Sequence, residues 1–166
     1  MTTLVIRSYR ASAGASRHGY QYQDSHQTLA EGLDEYYRVN QGIISRPDTL
    51  PPSSAALFRS HDICHVIFGL DTILADEAMA DFRTLISTDV GIKAYSQYVR
   101  DPLAVAVFAE LGWWRAIIVP LRTIPRALRA LIARTNQKEK WPWRPPDAYL
   151  NRTLADLRAE YGIAVI

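Results

Sequence analysis

The sequence predicts an all-α, single-domain bundle of about five to seven helices. Three observations predict it. Apolar residues recur at spacings of three and four through most of the chain, residues that start and stop helices punctuate those stretches, and no sustained period-two alternation competes. With 166 residues, 48% hydrophobic and 22% charged, the chain can bury one substantial core.

Residues 1–23 carry Arg7, Arg10 and Arg17, several Ser and Ala, and no acid before Asp24. That composition is compatible with a short organellar presequence, but the preferred reading is a flexible tail with a short strand at Leu4 to Ile6. One helical domain is expected over 24–166. From Thr28 onward Leu29, Leu33, Tyr36 and Tyr37 share a helical face while Glu31, Asp34 and Glu35 occupy others, and Asn40 to Gly42 ends that helix. Pro47, Pro51 and Pro52 form a loop leading to Ser53 and Ser54, which can cap a second helix running to about Leu70. Further helices are expected from about Thr72 to Ile86, from Ile92 to Val99, and from Pro102 onward, where Asp101 caps and Pro102 takes the first helical position. Gly112, Pro120 and Pro125 should interrupt or kink the next section. Trp141 to Pro146 reads as a rigid loop, and Asp147 starts a final helix ending near Gly162. No internal repeat or second-domain boundary is visible.

Composition excludes several classes. Nineteen Lys+Arg against seventeen Asp+Glu leave a net charge of +2, which argues against a generally basic nucleic-acid binder although the isoelectric point is near 8.8. The single cysteine, Cys64, excludes an intramolecular disulfide and a multi-cysteine zinc site. No stretch reaches roughly 18 uncharged apolar residues, since the best candidate, Leu103 to Val119, contains Glu110 and Arg115. No membrane span is expected.

The second helix carries the chemistry. In Ser60-His61-Asp62-Ile63-Cys64-His65, helical geometry sets His61, His65 and Asp62 at roughly 0°, 40° and 100°, with the histidines about 6 Å apart along the axis. Two imidazoles one turn apart can share a divalent ion, and a nearby carboxylate can act as a ligand or orient a histidine. The plainer alternative is a pair of ordinary core or surface histidines. Glu77 could complete a site, but on an unbroken helix it would lie about 18 Å beyond His65. The chain must therefore reverse between Gly69 and Asp76, and Gly69, Asp71 and Thr72 suit such a break. Gly69 also leaves room for a neighbouring segment. Cys64 projects about 60° from His61, away from Asp62, and reads as a packing residue. Ser60, His61 and Asp62 are not a hydrolase triad, because adjacent helical side chains diverge by about 100°. Arg59 could meet an anionic substrate group or form a surface ion pair.

His-Asp-x-x-His followed eleven residues later by Glu, read as His61, Asp62, His65 and Glu77, resembles the signature of the coenzyme Q biosynthesis protein four family. Leu154 to Ile163 is similar to that family's closing helix, and Tyr36 to Asn40 with Pro47-Asp48 to its upstream segment, so the resemblance spans roughly Leu29 to Ile163. The run Asp147 to Asn151 departs from the family in lacking Trp and Glu, and the region after Glu77 diverges as well. The resemblance implies an all-helical protein of ubiquinone biosynthesis with a divalent metal held by His61, Asp62, His65 and Glu77. It further implies oxidative decarboxylation at ring C1 of a polyprenylated hydroxybenzoate, and organisation of the biosynthetic enzymes at a membrane. Zinc leads as the ion, with manganese and iron as alternatives, and two histidines with a carboxylate leave coordination positions open for substrate. No catalytic residue beyond the metal centre is assigned. The expected setting is cytoplasmic or peripheral to the membrane in a bacterium, or the matrix side of the mitochondrial inner membrane in a eukaryote.

From Trp113 to Pro146 eight basic residues face the single acid Glu139, a local net charge of +7 that leaves the rest of the chain at −5. If the helical phase survives the prolines, Arg115, Arg122, Arg126 and Arg129 share an arc of about 60° opposite Leu121, Ile124, Leu128 and Leu131. With Trp113, Trp114, Trp141 and Trp143 nearby, the pattern suits an anionic membrane surface, with the apolar side against lipid or a prenyl tail. An ordinary bundle helix, its apolar stripe in the core and its arginines solvated, is the alternative. Nucleic acid is not an expected partner; a polyprenylated quinone precursor, other ubiquinone enzymes and a second copy of the chain are. Two rival functions remain: a non-catalytic prenyl-lipid scaffold using the metal structurally, and a His-Asp phosphohydrolase, which would need further ligands such as His26 and Asp89.

Overall fold

The computed structural model describes residues 17–41, 46–102, 104–105 and 113–166. Among them are six α-helices and no strand: α1 (Leu29–Val39), α2 (Pro52–Phe68), α3 (Leu74–Ser87), α4 (Gly91–Val99), α5 (Trp113–Thr135) and α6 (Leu154–Tyr161). The expected strand at Leu4 to Ile6, and Gly112, lie outside the described residues, as does most of the segment after Pro102.

Each helix end has a local cause. α1 starts at a reciprocal box, in which the Thr28 hydroxyl accepts from the Glu31 N–H while the Glu31 carboxylate accepts from the Thr28 N–H at 2.8 Å. Thr153 caps α6 in the same manner by accepting from the Asp156 N–H, and Thr28 and Thr153 form an antiparallel bridge that ties the two helix starts together. The second helix corrects the expectation for its start: Pro52 occupies the first turn, so Ser54 lies inside the helix and its hydroxyl donates to Asp101 instead of capping. α2 ends at Gly69, whose φ of 69° lets its N–H reach the Val66 carbonyl while Leu70 N–H reaches the His65 carbonyl.

α2 runs through the centre, packed by α1 on one side and α3 on the other, with α4 against its first half and α5 laid along α3. The core joins Leu29, Leu33 and Tyr36 of α1, Ile63, Val66, Ile67 and Phe68 of α2, Met79 of α3, and Leu154 and Leu157 of α6. Two further expectations need correction. Residues 17–23 are not a loose tail: Gly19–Gln21 forms a 3-10 turn and Tyr20 is fully buried, edge-on to the Tyr36 ring. Pro120 and Pro125 do not interrupt α5. Each removes one backbone donor, but the Ala, Leu and Arg turns that follow favour helix and the packing on α3 supports the element.

Gly162 closes α6 with φ 67°, and a Cβ there would stand 2.6 Å from the Asn136 carbonyl oxygen. The clash is with backbone, which cannot rotate away, and an L side chain resists this φ. Gly162→Ala is therefore expected to lower stability by about 2–3 kcal/mol, read as a fall in the urea midpoint. An unchanged midpoint would contradict this account of the α6 end.

Candidate metal centre

The reversal demanded by the sequence exists. After the Gly69 turn the chain is pinned by the Asp71 N–H donating to Asp76, the Thr72 N–H donating to Asp71, and the Thr72 hydroxyl donating to Asn40. Ile73, not Thr72, precedes α3 as its cap residue. The Asp76 carboxylate also pairs with Arg126 of α5, which anchors the start of α3. Glu77, in the first turn of α3, is thereby brought back against α2.

His61, His65 and Glu77 come together as a buried group. The two Nε2 atoms are 3.1 Å apart, and each is 3.5 Å from Glu77 Oε2. Donor atoms on the edges of a zinc tetrahedron at about 2.0–2.1 Å from the ion stand about 3.3 Å apart, so this triangle has the size that a first-row divalent cation requires. At such a separation two imidazole nitrogens share either a proton or a cation. The carboxylate beside them, itself removed from water, favours positive charge in the middle of the triangle. Two neutral nitrogen donors and one oxygen fit zinc, iron and manganese, and three protein ligands leave room for an exogenous one. Both histidine rings are held by aromatic neighbours: Tyr36 of α1 stacks on His65 at 5.3 Å, and Tyr98 of α4 on His61 at 4.6 Å.

Asp62 does not join the group. It is fully buried, and its Oδ2 accepts a 3.0 Å hydrogen bond from the Tyr37 hydroxyl. The 100° offset from His61 lets this oxygen reach Tyr37 of α1. Burial first and the Asp62 charge second push the Tyr37 hydroxyl above its ordinary range, so it remains a donor. Cys64 packs in the core, with burial pushing its thiol up to about 12 despite a hydrogen bond to Thr84. A protonated thiol is neither a ligand nor a nucleophile.

Asp81 was missed by the sequence reading. It lies one turn beyond Glu77 on α3, and its Oδ1 is 4.0 Å from His61 Nδ1, on the opposite side of the ring from Glu77. The signal was available as a pair of acids four residues apart on one helix, Glu77 and Asp81, which a search for a single closing Glu does not count.

The other singled-out residues separate from this group. Arg59 forms an exposed ion pair with Asp147 at 3.8 Å. His26 is exposed and Asp89 accepts from the Trp143 N–H, so neither supplies the further ligands a His-Asp phosphohydrolase would need. The side chains of Trp113, Trp114, Arg115 and Arg122 lie outside the described residues. Trp141 and Trp143 are buried, which corrects the expectation that they belong to a membrane-facing surface. Arg126 is turned inward onto Asp76 and the Ile166 carbonyl, and Arg134 onto the Ile86 and Gln137 carbonyls, while Arg129 is exposed. The apolar stripe of α5 faces outward instead: Ile124, Leu128, Leu131 and Ile132 are 48%, 56%, 45% and 66% exposed. Thr123 and Ala130 occupy the buried side, small enough for α5 to lie close against α3. Among the described residues no helix is long and apolar enough to cross a membrane.

Comparison of the chain with models of protein families, with curated proteins and with solved structures returned no match.

Proposed function

We propose that this chain is a metal-dependent protein of ubiquinone biosynthesis that acts at ring C1 of a polyprenylated hydroxybenzoate precursor. The single observation that carries the reading is the 3.1–3.5 Å triangle of His61 Nε2, His65 Nε2 and Glu77 Oε2, formed by the residues of the family-like motif. His61, His65 and Glu77 hold the ion; Asp62, expected to share in this, supports α2 through Tyr37. When bound, the ion supplies a Lewis acid with open positions for a substrate carboxylate or phenolic oxygen. The chain's own residues orient the imidazoles, through the Tyr36 and Tyr98 rings, and keep bulk water from the donors by burying them. The reaction class is oxidative decarboxylation: an oxygen atom from water enters at C1, the carboxyl carbon leaves as carbon dioxide, and two electrons with two protons pass to dioxygen, which leaves as hydrogen peroxide.

A second reading is favoured by one observation, the outward apolar stripe of Ile124, Leu128, Leu131 and Ile132 on a helix that also exposes Arg129. Such a face suits a prenyl tail or an anionic membrane surface, and a scaffold that binds prenyl lipid and gathers the other enzymes needs no turnover. The same face serves the enzymatic reading by bringing the protein to its amphiphilic substrate.

The test is turnover. Metal-loaded protein given a prenylated hydroxybenzoate and dioxygen is expected to release carbon dioxide, and His65→Ala is expected to release none above background. Binding of the lipid without turnover in the wild type would favour the scaffold. Flotation with anionic liposomes, compared with Leu128→Glu protein, reads the α5 face separately and is expected to fall in the variant.

A further inference from the structure

The proposed ion is held by three side chains, and the orientation of one of them has a distinct structural cause. His61 carries Nε2 toward His65 and Glu77, while its other nitrogen, Nδ1, faces Asp81 Oδ1 at 4.0 Å. Glu77 and Asp81 sit four residues apart on α3, so one helix face supplies a carboxylate to each side of the same ring. Asp81 is held in turn: the Tyr95 hydroxyl of α4 hydrogen-bonds to it, and the Tyr98 ring, one turn along α4, stacks on His61 at 4.6 Å with a 24° interplanar angle. Burial, and then the Asp81 charge, push the Tyr95 hydroxyl above its ordinary range, so it stays a donor to that carboxylate.

We infer that Asp81 is the positioning carboxylate of the metal centre, accepting the His61 Nδ1–H so that the Nε2 lone pair is directed at the cation. A neutral imidazole has two tautomers, and only the one protonated on Nδ1 offers Nε2 to a metal. A carboxylate behind the ring selects that tautomer, restrains the rotation of the ring and raises the basicity of the ligating nitrogen. The present 4.0 Å closes to a hydrogen bond with a displacement of about 1 Å, a movement small enough for side chains alone. This inference rests on the reading of His61, His65 and Glu77 as ligands, and it adds a fourth residue that touches neither ion nor substrate.

The experiment measures the zinc dissociation constant of the full chain by competition with a chromophoric chelator, for wild type, Asp81→Ala, Asp81→Asn and Tyr95→Phe, alongside each urea midpoint. Asp81→Ala is expected to weaken zinc binding by about 10–100-fold. Asp81→Asn, whose amide oxygen still accepts the Nδ1–H but carries no charge, is expected to recover part of that loss, and Tyr95→Phe to lose a few-fold. Partial rescue by Asn is the readout that a merely structural role would not produce. If Asp81→Ala fails to fold, Asp81→Asn at native stability decides the matter. Zinc affinity within twofold of wild type in Asp81→Ala, or in Asp81→Asn where only that variant folds, overturns the role of Asp81 while leaving the three ligands intact. A wild-type chain that takes up no zinc overturns the metal centre itself, so the two failures are read in different samples.

Discussion

Replacing His65 by alanine is expected to reduce bound metal from one ion per chain to background while leaving most of the helix content in place, and Glu77→Ala is expected to do the same. Loss of an oriented partner behind a ligand costs about 10–100-fold in metal affinity, and loss of a ligand itself costs at least the upper end of that range. Among the described residues the group has three protein donors, so each carries a third of the protein's share. The remaining histidine and carboxylate, or the histidine pair alone, would hold a first-row ion no better than many surface pairs do. The fold should survive because α2 is fastened by groups other than the donors: its C-terminal turn closes on Gly69 and its apolar face packs Ile63, Val66, Ile67 and Phe68 into the core. Elemental analysis of purified protein, with circular dichroism on the same samples, checks both halves of the statement. Equal occupancy in wild type and both variants would contradict it.

The largest effect on stability is expected at Arg158. Its guanidinium is fully buried in α6, and among the described residues no carboxylate lies within ion-pair distance; instead Nε donates to the Ile67 carbonyl at 2.9 Å, and Nη2 to the Val66 carbonyl at 2.8 Å and the Tyr20 carbonyl at 2.6 Å. Nη1 reaches the Tyr22 carbonyl. One side chain thus completes the C-terminal carbonyls of the histidine helix and fastens the 3-10 turn of residues 19–21 to it. The partial negative charge of a helix C-terminus favours a cation there, although burial lowers the pKa of the guanidinium to about 10, still charged at neutral pH. Arg158→Met removes this donor from four carbonyls; those of Val66 and Tyr22 keep the Gly69 and Ser25 N–H groups, those of Ile67 and Tyr20 lose the guanidinium, and each buried orphan costs about 1–3 kcal/mol before relaxation. Allowing for partial rehydration, the variant is expected to lose about 3–5 kcal/mol, a large share of the stability of an ordinary domain. The urea midpoint should fall accordingly, and a loss below about 0.5 kcal/mol would mean that these bonds are replaced by water at little cost.

The helical class, the order of the helices and the return of Glu77 to the histidine pair were legible in the sequence, because each is written in local signals. The 3.6-residue recurrence of Leu29, Leu33 and Tyr36 sets the buried face of α1, and Gly69 marks the left-handed turn that ends α2. Geometry alone then required a reversal for His65 and Glu77 to meet. What was not legible depends on partners distant in the chain. Asp62 is adjacent to His61, and only the placement of Tyr37 on α1 decides which partner its Oδ2 meets. The basic residues of α5 were expected to meet an anionic surface, but Arg126 and Arg134 find Asp76 and the end of α3, while the apolar stripe is exposed. Tyr20 seemed to belong to a loose tail because its burial is supplied by Tyr36 and Arg158, residues far along the chain. Asp81 escaped notice because its meaning rests on which nitrogen of His61 it faces, a property of packing and not of spacing.

The central claim is that two imidazoles of α2 and one carboxylate of α3 hold a single cation. X-ray absorption at the zinc edge, on protein loaded with one equivalent of zinc, tests it most directly. The predicted spectrum contains the multiple scattering of two imidazole ligands together with oxygen at about 2.0 Å, and it is lost when His61, His65 and Glu77 are all replaced by alanine. A spectrum without imidazole scattering, or one identical in the triple variant, would contradict the claim.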